Sequence, residues 1–275
     1  SAPLCPTGYT YDVNTQTCTL VETSLAECVP DINFDVTSTD WGALTTAVAW
    51  ENFFSSQPNA GTTTVTNFSL VGGRVQLSVS TSLTSLDLGS KNITTVSVIF
   101  INTMYTLLLN ANNIVNFDPT NSFSTSLNSI SLSGNQIVSF NPTIPLPEGL
   151  MSLSMANNDI IEFNPTTALP STLEELYLYG NSLTNFNPTI ALPNTMKRLL
   201  LNGNNLTSFS PTTGIPSGLQ YLGLVNNNIS MSSWNTNTTW INSAPNNAEI
   251  FADNSILGTT TLSLLTSKGW TLKLL

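Results

Sequence analysis

The chain is 275 residues long, only 8% of them charged, with a formal net charge of -10 and no histidine at all. Without histidine neither a Ser-His-Asp triad nor a Cys-His pair can be assembled. The acidic balance argues against nucleic-acid binding, because phosphate contacts need Lys and Arg.

The first 35 residues form an N-terminal segment read as a candidate anchor. Cys5 to Cys18 reads CPTGYTYDVNTQTC. Tyr9 and Tyr11 alternate with polar residues and Asp12 to Thr15 carries turn chemistry, so a small hairpin closed by a Cys5–Cys18 disulfide is expected. A loop this short buries no core, so a crosslink of about 3 kcal/mol would matter there. Cys28 is then left over, either buried or paired with another subunit. Three Cys and no His do not make a zinc set. Asp31, Asn33 and Asp35 begin like a calcium loop, but Val36 and Gly42 stand where Gly and Glu are needed. No metal and no cofactor are expected. The acidic residues that precede Arg74 read as a solvated surface, with docking on a basic partner as the sharper alternative.

Residues 36–64 read as an N-terminal cap. Asp40 is placed to cap a helix over 40–55, with Trp41, Leu44, Ala47, Val48, Trp50 and Phe54 at helical spacing.

From residue 65 to 247 the chain repeats. FNPTTALPSTLEELYL at Phe163 returns as FNPTIALPNTMKRLLL at Phe186, 23 residues later. Units start at Met104, Leu127, Leu150, Leu173, Met196 and Leu219, and apolar residues recur three and five positions after each start. An asparagine follows at the eighth position: Asn112, Asn135, Asn158, Asn181, Asn204 and Asn227. An apolar residue comes two later, and in five units Phe117, Phe140, Phe163, Phe186 or Phe209 closes the pattern. Looser copies are read at Leu83 to Val96 and at Val65 to Val75, and a degenerate turn at Phe251, Asn254 and Ile256. Residues 248–275 read as a C-terminal cap, with Lys268 and Gly269 stopping a helix and Trp270, Leu272 and Leu274 alternating as a final strand.

The pattern L-x-x-L-x-L-x-x-N-x-L resembles the leucine-rich-repeat family. The Leu-Pro-x-x-Leu join, as at Leu169, Pro170 and Leu173, is similar to the bacterial type. Two inward positions two residues apart predict one short strand per unit, stacked into a parallel sheet. The asparagines are expected to form a ladder that pairs buried backbone groups. Proline in every return segment argues against convex α-helices and for extended or 3₁₀ turns. The expected fold is therefore mostly β, a leucine-rich-repeat solenoid with an irregular convex side and short helical caps.

In this family ligands meet the concave sheet, and the resemblance implies the same here. The outward residues are small or polar early, at Ser129, Ser131, Ser133, Ser152 and Ser154. Later they enlarge to Glu174, Glu175, Tyr177, Tyr179, Lys197, Arg198, Leu200 and Tyr221, which are the expected ligand-binding residues. Glu174 and Glu175 are the best acid/base candidates, but Lys197 and Arg198 occupy the same places one strand on. Cross-strand ion pairs explain all four, and no enzyme is expected. Five glycosylation sequons, at Asn67, Asn92, Asn205, Asn228 and Asn237, are expected by accident in a chain this rich in Asn, Ser and Thr.

That composition, low in charge, is familiar in secreted β-rich proteins and in virion fibre and decoration proteins. The Cys5–Cys18 string also resembles Cys-bracketed segments of tailed-phage virion proteins. The two together imply a non-enzymatic recognition or structural module on a virion surface. Its partners would be other virion or surface proteins through the N-terminal segment, and a host glycan or protein through the concave face. A secreted or surface-attached bacterial adhesin of the same fold is the alternative. No apolar run of about 18 residues occurs, so no membrane span is expected, and no signal-peptide pattern is read.

Overall fold

The structure, a computed structural model, describes residues 9–12, 17–20, 32–36, 44, 47–57, 64–71, 74–80, 83–99, 103–118 and 123–274. Strands β1 (Tyr9–Asp12) and β2 (Thr17–Leu20) pair antiparallel, placing Tyr11 opposite Cys18. The expected hairpin is thus present. Cys5 and Cys28, and with them the expected disulfide, lie outside the described residues. Strand β3 (Ile32–Val36) takes up Asn33 and Asp35.

Helix α1 (Ala47–Ser55) buries Trp50 and Phe54 completely, while Val48 is 63% exposed. The sequence placed Val48 on the buried face. At about 100° per residue it lies well round the helix from Trp50 and Phe54. The helix is also shorter than the expected 40–55: Leu44 lies outside it and it begins at Ala47, too far along for Asp40 to cap it. Asp40 and Trp41 themselves lie outside the described residues.

A second departure follows. Strands β4 (Thr64–Val71) and β5 (Arg74–Ser80) pair antiparallel with Val71 opposite Arg74. They are not a solenoid turn. Alternating apolar residues suit a parallel and an antiparallel strand equally. The discriminating signal was Gly72-Gly73, two residues of hairpin-turn type between two such runs. With β3 and a later strand they make a four-stranded antiparallel sheet.

The solenoid proper starts at β6 (Ser85–Asp87). Strand β7 (Ile93–Ile99) leaves it to pair antiparallel with β3 in the small sheet. Then come β8 (Thr106–Leu108), β9 (Ser129–Ser131), β10 (Ser152–Ser154), β11 (Glu175–Tyr177), β12 (Arg198–Leu200) and β13 (Tyr221–Gly223). Each pairs in parallel with the next, and the 23-residue repeat aligns equivalent residues: Leu153 with Leu176, Leu176 with Leu199. After β13 the return path holds helix α2 (Met231–Thr236) and a 3₁₀ turn at Thr239–Asn242. Strand β14 (Glu249–Ala252), helix α3 (Thr260–Ser267) and strand β15 (Thr271–Leu274) complete a nine-stranded sheet in the order β15-β14-β13-β12-β11-β10-β9-β8-β6. The last residues therefore extend the sheet while closing it. In β14 the inward residues are Ile250 and Ala252, and Phe251 faces the other way, one position from the register the sequence suggested. Asn254 opens a 3₁₀ turn instead of joining the ladder. Gly269, at φ +78°, ends α3 as expected.

The core is one continuous cluster running from Trp50 to Trp270. Along it Phe140, Phe163, Phe186 and Phe209 stack with centroids 6.1 to 6.3 Å apart, and Trp240 closes the column edge-on against Phe209 at 5.2 Å. The two ends are covered differently. At the first, the Gln57 side chain just past α1 accepts the Asp87 N–H of β6 at 2.8 Å, pairing a donor on that strand. At the other, the Lys268 ammonium holds the Asn242 and Ala244 carbonyls.

Candidate concave binding face

The face rests on a turn made the same way in every unit. Each ladder asparagine uses both ends of its amide. The Asn181 Oδ1 accepts the Ile160 N–H at 3.0 Å, and its Nδ2 donates to Met155 O at 3.0 Å and Leu178 O at 2.9 Å. Asn135, Asn158 and Asn204 repeat this, and five of the six are 5 to 8% exposed. One amide thus joins adjacent turns: it pairs an N–H that burial would otherwise strand, and it shares each of two carbonyls with the amide of a neighbouring turn. The residue just before it takes the left-handed conformation in each unit: Ala111, Gly134, Asn157, Gly180, Gly203 and Asn226 all have φ between 53° and 69°. That turn lifts the chain off the sheet and leaves the concave face open.

The outward residues stand in rows across the strands. One row reads Ser129, Ser152, Glu175, Arg198 and Tyr221. The next reads Ser131, Ser154, Tyr177, Leu200 and Gly223. The expected ion pairs both form, with Lys197 Nζ 2.7 Å from Glu174 Oε2 and Arg198 Nη1 3.1 Å from Glu175 Oε1. A third pair, Lys273 with Glu249 at 3.8 Å, continues them and was not read from the sequence. Being partly exposed, such pairs orient side chains more than they stabilise the fold.

Around Glu175 four side chains converge. Arg198 lies over the Tyr221 ring, 5.0 Å from its centroid, a cation–π contact. Ser152 donates to Glu175 at 3.3 Å. Burial, and then the neighbouring Glu175 carboxylate, raise the Tyr177 phenol above its ordinary pKa. Tyr179, beyond it, is 38% exposed and its hydroxyl bonds to no described residue. The serine half has its own contacts: Ser131 to Asn110, and Ser133 to Ser154 at 2.7 Å. All eight predicted ligand-binding residues share this one stretch of sheet. Among the described residues no group of three metal-ligating side chains occurs, and no helix is long and apolar enough to cross a membrane.

Gly223 matters to the shape. A Cβ there would meet Asn202 Oδ1 at 2.6 Å and Leu200 Cδ2 at 2.9 Å, so its absence lets Leu200 and Asn202 lean toward β13. Neither a scan against protein-family models nor a search among curated proteins finds a match to this chain.

Proposed function

We propose that the chain is a leucine-rich-repeat protein of the bacterial type, acting as a non-enzymatic recognition module on a virion surface. Its concave sheet would hold a host-surface ligand and its N-terminal segment would join it to other particle proteins. The observation that carries the recognition reading is a division of labour within each strand. Inward positions keep one chemistry from β8 to β13, whereas outward positions change, from serine on β9 and β10 to Glu175 and Tyr177 on β11 and Arg198 on β12. Packing demands the first and says nothing of the second. Tyr and Arg are the residues that binding surfaces concentrate. The virion setting is supported by the Cys5–Cys18 string and by a surface rich in Asn, Ser and Thr, and a Cys5–Cys18 crosslink would tie down the β1–β2 hairpin there.

Mass spectrometry of purified particles from the source culture tests the setting. Co-purification with capsid and tail proteins at fixed stoichiometry is the expected result; recovery from the cell envelope or medium alone would transfer the reading to a bacterial adhesin. Hydrolysis of a glycan, lost in Glu175→Gln, would overturn the non-enzymatic reading.

A further inference from the structure

We propose that the concave face takes an uncharged oligosaccharide, seated on the serine floor of β9 and β10 against the tyrosine wall of β11. This rests on the reading that the concave face is the ligand surface, and names the ligand class.

The shape comes first. On β9 and β10 the outward side chains are serines, while the next strand raises Tyr177 and Tyr179, with Leu200 behind them. Short side chains beside tall ones leave a trough in an otherwise regular sheet, and these residues line it. With strands about 4.8 Å apart, two serine strands make a floor about 10 Å across, wide enough for a pyranose ring.

The chemistry comes second. A sugar offers C–H faces and hydroxyls, each a donor and an acceptor. The wall supplies apolar ring area with a polar tip. The floor supplies hydroxyls that also donate and accept; Ser131, Ser133, Ser152 and Ser154 are held by neighbouring side chains, and the hydroxyls of Ser129 on the floor and Tyr179 on the wall bond to no other described residue.

Charge decides among ligands. No residue lining the trough is charged. The acids and bases beside it are matched across strands, Glu174 with Lys197 and Glu175 with Arg198. Arg198 is further engaged over the Tyr221 ring. A sialylated, sulfated or phosphorylated ligand would find no cation free of a carboxylate partner here, and the net charge of -10 on the whole chain opposes it further.

The test is a glycan array that sets maltodextrin, cellodextrin, mannan and xylan oligosaccharides against polygalacturonate, heparin and sialylated glycans. Hits are then measured by calorimetry on the full chain, Tyr179→Ala and Ser154→Tyr. Both substitutions are on the sheet surface, and an unchanged melting temperature checks that each variant folds. The expected result is a neutral hit, insensitive to salt, weakened about tenfold or more by Tyr179→Ala and by filling the trough. An acidic hit weakened by the same variants would sink the uncharged-ligand inference and leave the concave-face reading standing. So would a protein ligand lost in those variants with no glycan bound. A neutral hit indifferent to both variants would overturn both readings, and no binding to any probe would overturn the inference.

Discussion

Two side-chain ladders run along the solenoid, and they differ in what surrounds them. The inner one, through Asn135, Asn158, Asn181 and Asn204, is buried, and each amide bridges backbone groups of adjacent turns. The outer one lies on the convex side, where Asp118, Asn141, Asn164 and Asn187 each accept both the N–H and the hydroxyl of a threonine one turn on. Those threonines are Thr143, Thr166, Thr189 and Thr212, at 2.7 to 3.0 Å. The geometry is as regular outside as inside. The energetic stakes are not, since water can replace a partner on the convex face and cannot reach the interior. Asp118 fills the outer place, where only acceptors are used, but the inner ladder also needs the amide donor.

The largest expected effect breaks the inner ladder. Asn181→Leu keeps the size of the side chain but strands the Ile160 N–H and removes one of the two amide donors from each of the Met155 and Leu178 carbonyls, which Asn158 and Asn204 still serve. It should cost about 2 to 3 kcal/mol in chemical denaturation, and an unchanged midpoint would sink the ladder argument.

Next comes the turn that presents the inner ladder. Gly180 has φ +66°, and a Cβ on it would fall 2.3 Å from Asn157 Oδ1. Gly180→Ala is expected to lose about 1 to 2 kcal/mol. The reverse change at the equivalent place, Ala111→Gly, should lose nothing and gain up to about 1 kcal/mol, because Ala111 already sits at φ 53°. Equal and opposite thermal shifts would mean that conformation alone is at work; a larger loss at Gly180 would assign the excess to the clash.

Smaller still, Asn164→Ala on the outer ladder should cost about 0.5 to 1 kcal/mol. A loss as large as that of Asn181→Leu would erase the distinction between the two ladders. Smallest is Glu174→Gln, which leaves Lys197 without its partner at the surface. A change below about 0.5 kcal/mol that vanishes in high salt is expected, and a salt-independent loss would mark the pair as structural.

How much of this was legible varies with the physics of each element. The inner ladder could be read because burial forces one residue type on every turn. The outer ladder could not, since Asn-Pro-Thr reads locally as turn chemistry and the Thr partner is on the next turn. The eight concave residues could be placed together because one register aligns them all. What the trough looks like could not, because it depends on side-chain heights across three strands and on the room left by Gly223. Val48 and Phe251 were misplaced for a simpler reason: each stands next to other apolar residues, so two registers suit it, and only the packed neighbours choose.

By itself, then, the sequence determined the repeat length, the inward residues, the asparagine ladder and the strand-by-strand alignment of the concave rows, because those follow from periodicity and from the cost of unpaired buried groups. Only the tertiary structure decided that β3 and β7 join the β4–β5 pair in an antiparallel sheet outside the solenoid. The same holds for β14 and β15 extending the parallel sheet, and for Tyr177, Glu175, Arg198 and Tyr221 meeting as one cluster. Strand partners and side-chain contacts between turns depend on which surfaces are brought face to face, and a local pattern does not carry that information.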